Sequence, residues 1–269
     1  MAVEDVIVKT IFFVLVFLIS LLALYEGQPS TERQLFLYEI KDVSVLIKTS
    51  LIDRINKKNS KIKSLFSADA QVQISHVPFK LTAEMAYEKD RNFRMVVRSV
   101  MGKELDVGSN SDTFWFWSKR MNPPYLHYAS YSDLYKCRLK DVFHPLWMME
   151  SLGINEINSN AVVKDSPKYL IISEKRRSTS NTIVIKVTLI DKKSEAIVGH
   201  YILNEGKVIV SAEVKEFHPN GIPKKIAIIW HEENVSLTWS LNEVRVNCKI
   251  DPYNWRMPYH KKSINMGKD

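Results

Sequence analysis

From Ser67 to Ala129 the sequence changes side at almost every residue, in short runs separated by polar breaks. In "FKLTAEMAYEK" (79 to 89), Leu81, Ala83, Met85 and Tyr87 fall on one face against Lys80, Thr82, Glu84 and Glu88; in the next run Phe93, Met95 and Val97 oppose Arg94 and Arg98. A period of two is the signature of a strand, and one wet face marks antiparallel pairing. "SADAQVQISHV", "ELDVGS", "TFWFWSK" and "YLHYA" extend the series. The second half repeats it in "KYLIISEKR", "TIVIKVTLI", "AIVGHYILN", "KVIVSAEVKEF", "GIPKKIAIIWHE" and "VSLTWSLNEVRVN", joined by the turn signals "DKKS", "NEG" and "HPNG". Helices do not alternate with these strands, which excludes a doubly wound α/β scaffold. The expected class is mainly β with α: one wide, unclosed antiparallel β-barrel of about 10–12 strands.

An open barrel leaves a groove that something must cover. Two segments qualify. Thr31 with Gln34 forms a capping box, and Phe36, Ile40, Val43, Ile47, Leu51 and Ile55 recur at helical spacing, predicting one amphipathic helix from 32 to about 57. "SDLYK" and then "HPLWMMESLG" (144 to 153) are also helical in pattern: Pro145 fits a start, Gly153 a stop, and Leu146, Trp147, Met148, Met149 and Leu152 are apolar. Together the long helix and the second segment make an expected helical lid.

Ahead of them, Ile11 to Tyr25 carries no charge, and counting back to Val6 adds only Lys9. That stretch can cross a bilayer if Lys9 reaches the headgroups, and it is also short enough for a signal-peptide core. The exit "LLALYEGQPS" offers poor small-residue spacing for cleavage, which favours an uncleaved transmembrane anchor. No Cys follows the apolar run, so a lipidated N-terminus is disfavoured. The expected organisation is residues 1–28 as anchor or signal segment, 29–250 as the half-barrel, and 251–269 as a mobile tail with Trp255 and Tyr259 tucked against the body.

The net charge of +8 is dispersed in pairs such as Lys57-Lys58 and Lys192-Lys193. Solvated rims or attraction to anionic lipid account for it, and no motif for nucleic acid accompanies it. Cys137 and Cys248 either pair outside the cytoplasm or stay as buried thiols. None of the seven His falls in a metal-binding or catalytic motif. Glu104, Asp106 and Asp112 stand beside turn residues, where a carboxylate ordinarily serves the backbone. Neither an enzyme nor a cofactor is expected.

The Met and Trp residues leave two readings open: a filled β core, or a pocket for flexible apolar guests. Leu81, Met85, Phe93, Met95, Trp115 or Phe114, Leu237, Trp239 and Leu241 are the expected interior. Here the stretch "NFRMVVRSVMGKELDVGSNSDTFWFWSKR" resembles, in order and spacing, the middle strands of the LolA/LolB-like family of envelope lipoprotein carriers: an "NFR" strand, then Gly102, Asp106, Gly108, Ser109 and Asn110 leading to Phe114–Trp117. The likeness extends over roughly residues 32 to 250. It implies an unclosed antiparallel barrel under a helical lid that holds acyl chains of a lipid or lipoprotein without covalent chemistry, in the cell envelope. By that resemblance Phe93, Arg94, Trp115 and Trp117 are site positions, with Arg94 contacting the lid or a headgroup, and Val43, Ile47, Trp147 and Met148 belong to the lid. The chain departs from the family in lacking a lipid-anchoring Cys and in an apolar leader with poor cleavage spacing; if the leader stays, a tethered acceptor, chaperone or lipid-handling component in the inner membrane with its body in the periplasm fits better than a diffusing shuttle, and if it is cleaved the body is exported. Possible partners are the membrane and another envelope protein; the alternative function is a tethered structural or interaction domain with no ligand.

Overall fold

The structure, a computed structural model, describes residues 41–42, 45–75, 77–89, 91–137, 145–158, 161–178, 182–232 and 234–268. The apolar run proposed as anchor, and Val43, lie outside the described residues, among which no helix is long and apolar enough to cross a membrane.

Two meanders make up the protein. The first runs through β2 (Ser64–Ile74), β3 (Leu81–Glu88), β4 (Asn92–Ser99), β5 (Gly102–Ser109), β6 (Thr113–Ser118) and β7 (Leu126–Ser130). The second comprises β8 (Val162–Asp165), β9 (Tyr169–Arg177), β10 (Ile183–Asp191), β11 (Ala196–Asn204), β12 (Lys207–Phe217), β13 (Pro223–Trp230) and β14 (Val235–Leu241). Between them lie a 3-10 turn (Tyr131–Lys136) and the short helix α2 (Pro145–Glu150). The meanders merge because β14 returns to pair antiparallel with β2, Leu237 opposite Ile74 and Trp239 opposite Val72. Local turn chemistry supports each hairpin: β11 and β12 join through Glu205 (φ 49°) and Gly206 (φ 79°), the two left-handed positions of a tight turn whose twist suits paired strands.

Among the described residues, with β1 at Lys41–Asp42 and β16 at Ser263–Asn265, the result is a 16-stranded sheet in the order β1-β8-β9-β10-β11-β12-β13-β14-β2-β3-β4-β5-β6-β7-β16, with β15 (Arg245–Val246) added to β2. Among the described residues its ends, β1 and β16, do not pair, so the sheet is unclosed. The strand count exceeds the expected ten to twelve because β1, β8, β15 and β16 span only two to four residues each, too short to carry a period.

Two further expectations are corrected. Lys41 and Asp42 pair with Asp165 and Lys164 on β8, so the helix α1 occupies Val45–Asn59 rather than starting at residue 32 and running unbroken. And the C-terminal stretch is built into the body: Asp251 caps a 3-10 turn at Pro252–Trp255, and β16 lies parallel to β7. Trp255 is half-buried against the sheet, whereas Tyr259 stays exposed.

Candidate functional site

Register decides which side chains share a face. Tyr87 lies opposite Phe93, Met85 opposite Met95, and Ala83 opposite Val97. On the other side of β2 the same face carries Trp239, Leu237, Ile226 and Ile228. The rings of Phe93 and Trp239 stack at 6.2 Å although β2 and β3 separate their strands. In a flat sheet three strand spacings would hold them about 14 Å apart. The sheet therefore curls around this face, with a bulge between Ser67 and Ala70 of β2 helping it to bend.

Over the hollow lies α2 and the chain after it. Met149, Leu152 and Ile154 are buried in the same core, and Leu146, Trp147 and Met148 pack on it half-buried. The structure thus brings together Leu81, Met85, Phe93, Met95, Leu237 and Trp239 from the expected site, under Trp147 and Met148. Each of the six sheet residues is at most 7% exposed. At one end a cavity of about 270 Å³ opens among Ile62, Ile154, Ile197, Ile222 and Val246, with Lys58 and Lys61 also in its wall. Ile154 and Ile222 make it continuous with the main core.

Three expected residues face the other way. Arg94, Gly108, Trp115 and Tyr128 form one cross-strand row, and Asp106 pairs with Trp117 in the next, all on the outer face. Alternation requires it: Phe114 and Phe116 line up with Ser109 and Val107 on the inner side, so Trp115 and Trp117 cannot. The C-terminal segment covers this outer face. Asn110 Nδ2 donates to the Trp255 carbonyl at 3.1 Å, and Trp117 meets the His260 ring at 5.3 Å. Arg94 grips Asp106 through Nη2 to Oδ2 at 2.9 Å and Nε to Oδ1 at 3.2 Å, with Lys103 Nζ on Oδ2 at 3.0 Å. Burial pushes the Asp106 carboxyl up, but the hydrogen bonds and charges of Arg94 and Lys103 outweigh it and hold it below the ordinary carboxylate value. "GSNSD" is a turn: Asn110 Oδ1 accepts from the amides of Asp112 and Thr113.

The described part of α1 does not lie over the Met85–Trp239 hollow. Its Leu51, Ile52 and Ile55 form a second core with Ile157, Val163, Ile172, Ile190 and Ile197. Asn56 fixes it there, donating to the Ile157 carbonyl at 2.9 Å and accepting from the Ile157 amide at 2.8 Å. Ile47 belongs to α1, on the turn before this buried stripe. Cys137 and Cys248 are free thiols; burial and Asp133 push Cys137 up to about 11.

A charged cluster also lies on the inner face. On β9 to β11, Glu174 pairs with Lys186, and Thr188 with His200, on the same face as the hollow, where Ile202 and Ala212 are their neighbours. Lys186 is 3% exposed and meets Glu150, the last residue of α2, at 3.0 Å and Glu174 at 4.0 Å. Arg176 reaches Glu174 at 3.3 Å and Glu150 at 3.9 Å. The signal lay in "TIVIKVTLI", where Lys186 stands at an inward position between Val184 and Thr188.

No family model matches the chain, and no curated protein matches it by sequence. Among solved structures it is similar to an outer membrane lipoprotein-sorting protein domain from Vibrio parahaemolyticus, with TM-score 0.50 and 7% identity over 79% of this chain and 97% of that one. A DUF1329 family protein from Desulfovibrio piger (TM-score 0.49, 10% identity, 79% and 97%) and a LolA superfamily protein from Nitrosomonas europaea (0.47, 7%, 80% and 98%) are also similar. At such identities the likeness concerns the fold alone. With its two merged meanders, open edges and few helices, the described chain shares the fold of the Vibrio parahaemolyticus domain.

Proposed function

We propose that the protein binds acyl chains of a lipid or lipoprotein in the bacterial cell envelope, without covalent chemistry, between the curled sheet face and the 145–154 segment. The apolar stretch at residues 6–25 would tether it to the membrane. The observation that carries this reading is the stack of Phe93 on Trp239, which requires the apolar face to curl; among the described residues the short helix α2 and the chain after it pack over that face. Magnitudes favour an exchangeable cover. Met149, Leu152 and Ile154 are worth about 2 kcal/mol each when buried and half-buried Leu146 about 1, whereas an entering chain gains about 0.8 kcal/mol per CH₂. A guest of about nine or more methylenes therefore matches what the cover loses, and a short one does not.

The test is lipid extraction from natively purified full-length protein, followed by titration with a fluorescent long-chain fatty acid. Saturable uptake that Leu237→Trp weakens, while circular dichroism stays native, supports the reading. Nearly complete burial of the six sheet residues favours a second reading, a tethered structural domain with a packed interior; protein that carries no lipid and takes up none would establish it.

A further inference from the structure

A buried lysine facing an oily hollow needs a reason, since an unpaired ammonium in such a place is costly. Lys186 and Arg176 supply two positive charges, and Glu174 and Glu150 two negative ones. The balance depends on the cover, because Glu150 ends α2 whereas the other three sit on the sheet. When α2 leaves with Glu150, two positive charges remain against one. His200 does not alter the count: sealed by burial and beside the Lys186 charge, its imidazole is held well below its usual value and stays neutral. Its Nδ1 is engaged with Thr188 Oγ1 at 3.0 Å, while Nε2, next to the Glu150 main chain, has no well-formed hydrogen bond.

We propose that Lys186, with Arg176, receives the anionic headgroup of the guest in the place that the Glu150 carboxylate fills when the hollow is covered. This rests on the acyl-binding reading and adds to it a ligand class: a long chain ending in an anionic head, as a fatty-acid carboxylate or a phosphate ester. Glu150 is then a resident substitute for the ligand's head, and Leu146, Met149 and Leu152 are substitutes for its tail, so one short segment mimics the whole amphiphile. Replacing a carboxylate by a carboxylate or phosphate keeps Lys186 paired throughout, which a neutral lipid would not do. Charge-assisted pairs of this kind carry more energy than neutral hydrogen bonds.

The experiment compares three ligands of equal chain length, myristate, tetradecyl phosphate and tetradecanol, by displacement of a fluorescent probe from the full chain. The expected result is at least tenfold tighter binding of one or both anions than of the alcohol. Lys186→Met should bring anion and alcohol within about threefold of each other. Glu150→Gln, which removes the competing carboxylate and little else, should tighten the anions selectively; it keeps the test decisive should Lys186→Met fail to fold. A preference for myristate assigns a free fatty acid, and a preference for the phosphate assigns a phospholipid. Equal binding of alcohol and anions by the parent protein, or equal effects of Glu150→Gln on all three, overturns the headgroup site while leaving acyl binding intact. If none of the three binds, the acyl-binding reading itself falls.

Discussion

The indole of Trp115 lies across Gly108, its partner on the neighbouring strand, so closely that a Cβ on Gly108 would come within 2.8 Å of the Trp115 Nε1 atom. Trp115 is completely buried there, on the outer face and under the C-terminal segment. Gly108→Ala should destabilise the protein by about 1–3 kcal/mol, the usual cost of overpacking, and lower the midpoint of thermal unfolding. Because the row faces away from the hollow, acyl-chain affinity of the folded variant should not change.

Asp106 is fully buried and holds Arg94 and Lys103 on that same outer face. Its folded-state value lies below the ordinary one, so its contribution is fully present above the unfolded value of about 4 and is lost as pH falls through the folded one. Asp106→Asn leaves Arg94 without its counter-charge and should cost about 3–5 kcal/mol at neutral pH. Denaturant titrations of the parent should weaken steeply below about pH 4, and the variant should lose part of that slope.

His127 acts in a different pH window, together with His200. Buried at 2% exposure and stacked on Phe116 at 5.1 Å, its imidazole is pulled down to about 4 by desolvation. A histidine depressed in the fold is protonated first in the unfolded chain, so stability should rise with pH from about 4 to 6.5 and level off above. The gain is roughly 3 kcal/mol over that window, with His200 adding to it. His127→Phe should reduce the slope between pH 4 and 6.5, the remainder coming from His200, and leave the acid limb below 4 in place.

How far the sequence could be read is visible in "TFWFWSK". That both faces of this strand are greasy follows from alternation alone, and the same rule places Leu81, Met85, Phe93 and Met95 on one shared face. What covers each face was not legible. The outer cover comes from residues 254–260, where a 3-10 turn and irregular chain leave no periodicity to detect, so alternation alone does not say which face of the two Trp side chains is covered. Likewise the strand at Lys41–Asp42 is defined by a partner more than a hundred residues away, on β8, and nothing local marks it. Lys186 was legible in principle: a charge at an inward position between Val184 and Thr188 breaks the alternation.

Two covers invite a direct comparison, because α1 and the 145–154 segment pack on different cores. Ile52 is 1% exposed in the α1 core, away from Met85 and Trp239. Ile52→Ala should cost about 2–5 kcal/mol of stability while leaving the release rate of a bound fluorescent fatty acid unchanged at temperatures where the variant is folded. Trp147 is half-buried on the hollow, so Trp147→Ala should shift the unfolding midpoint less and speed release severalfold, since the cover then has less apolar contact to lose on opening. Stopped-flow dilution of the loaded proteins measures both rates. The reverse pattern, fast release from Ile52→Ala and none from Trp147→Ala, would transfer the role of cover to α1.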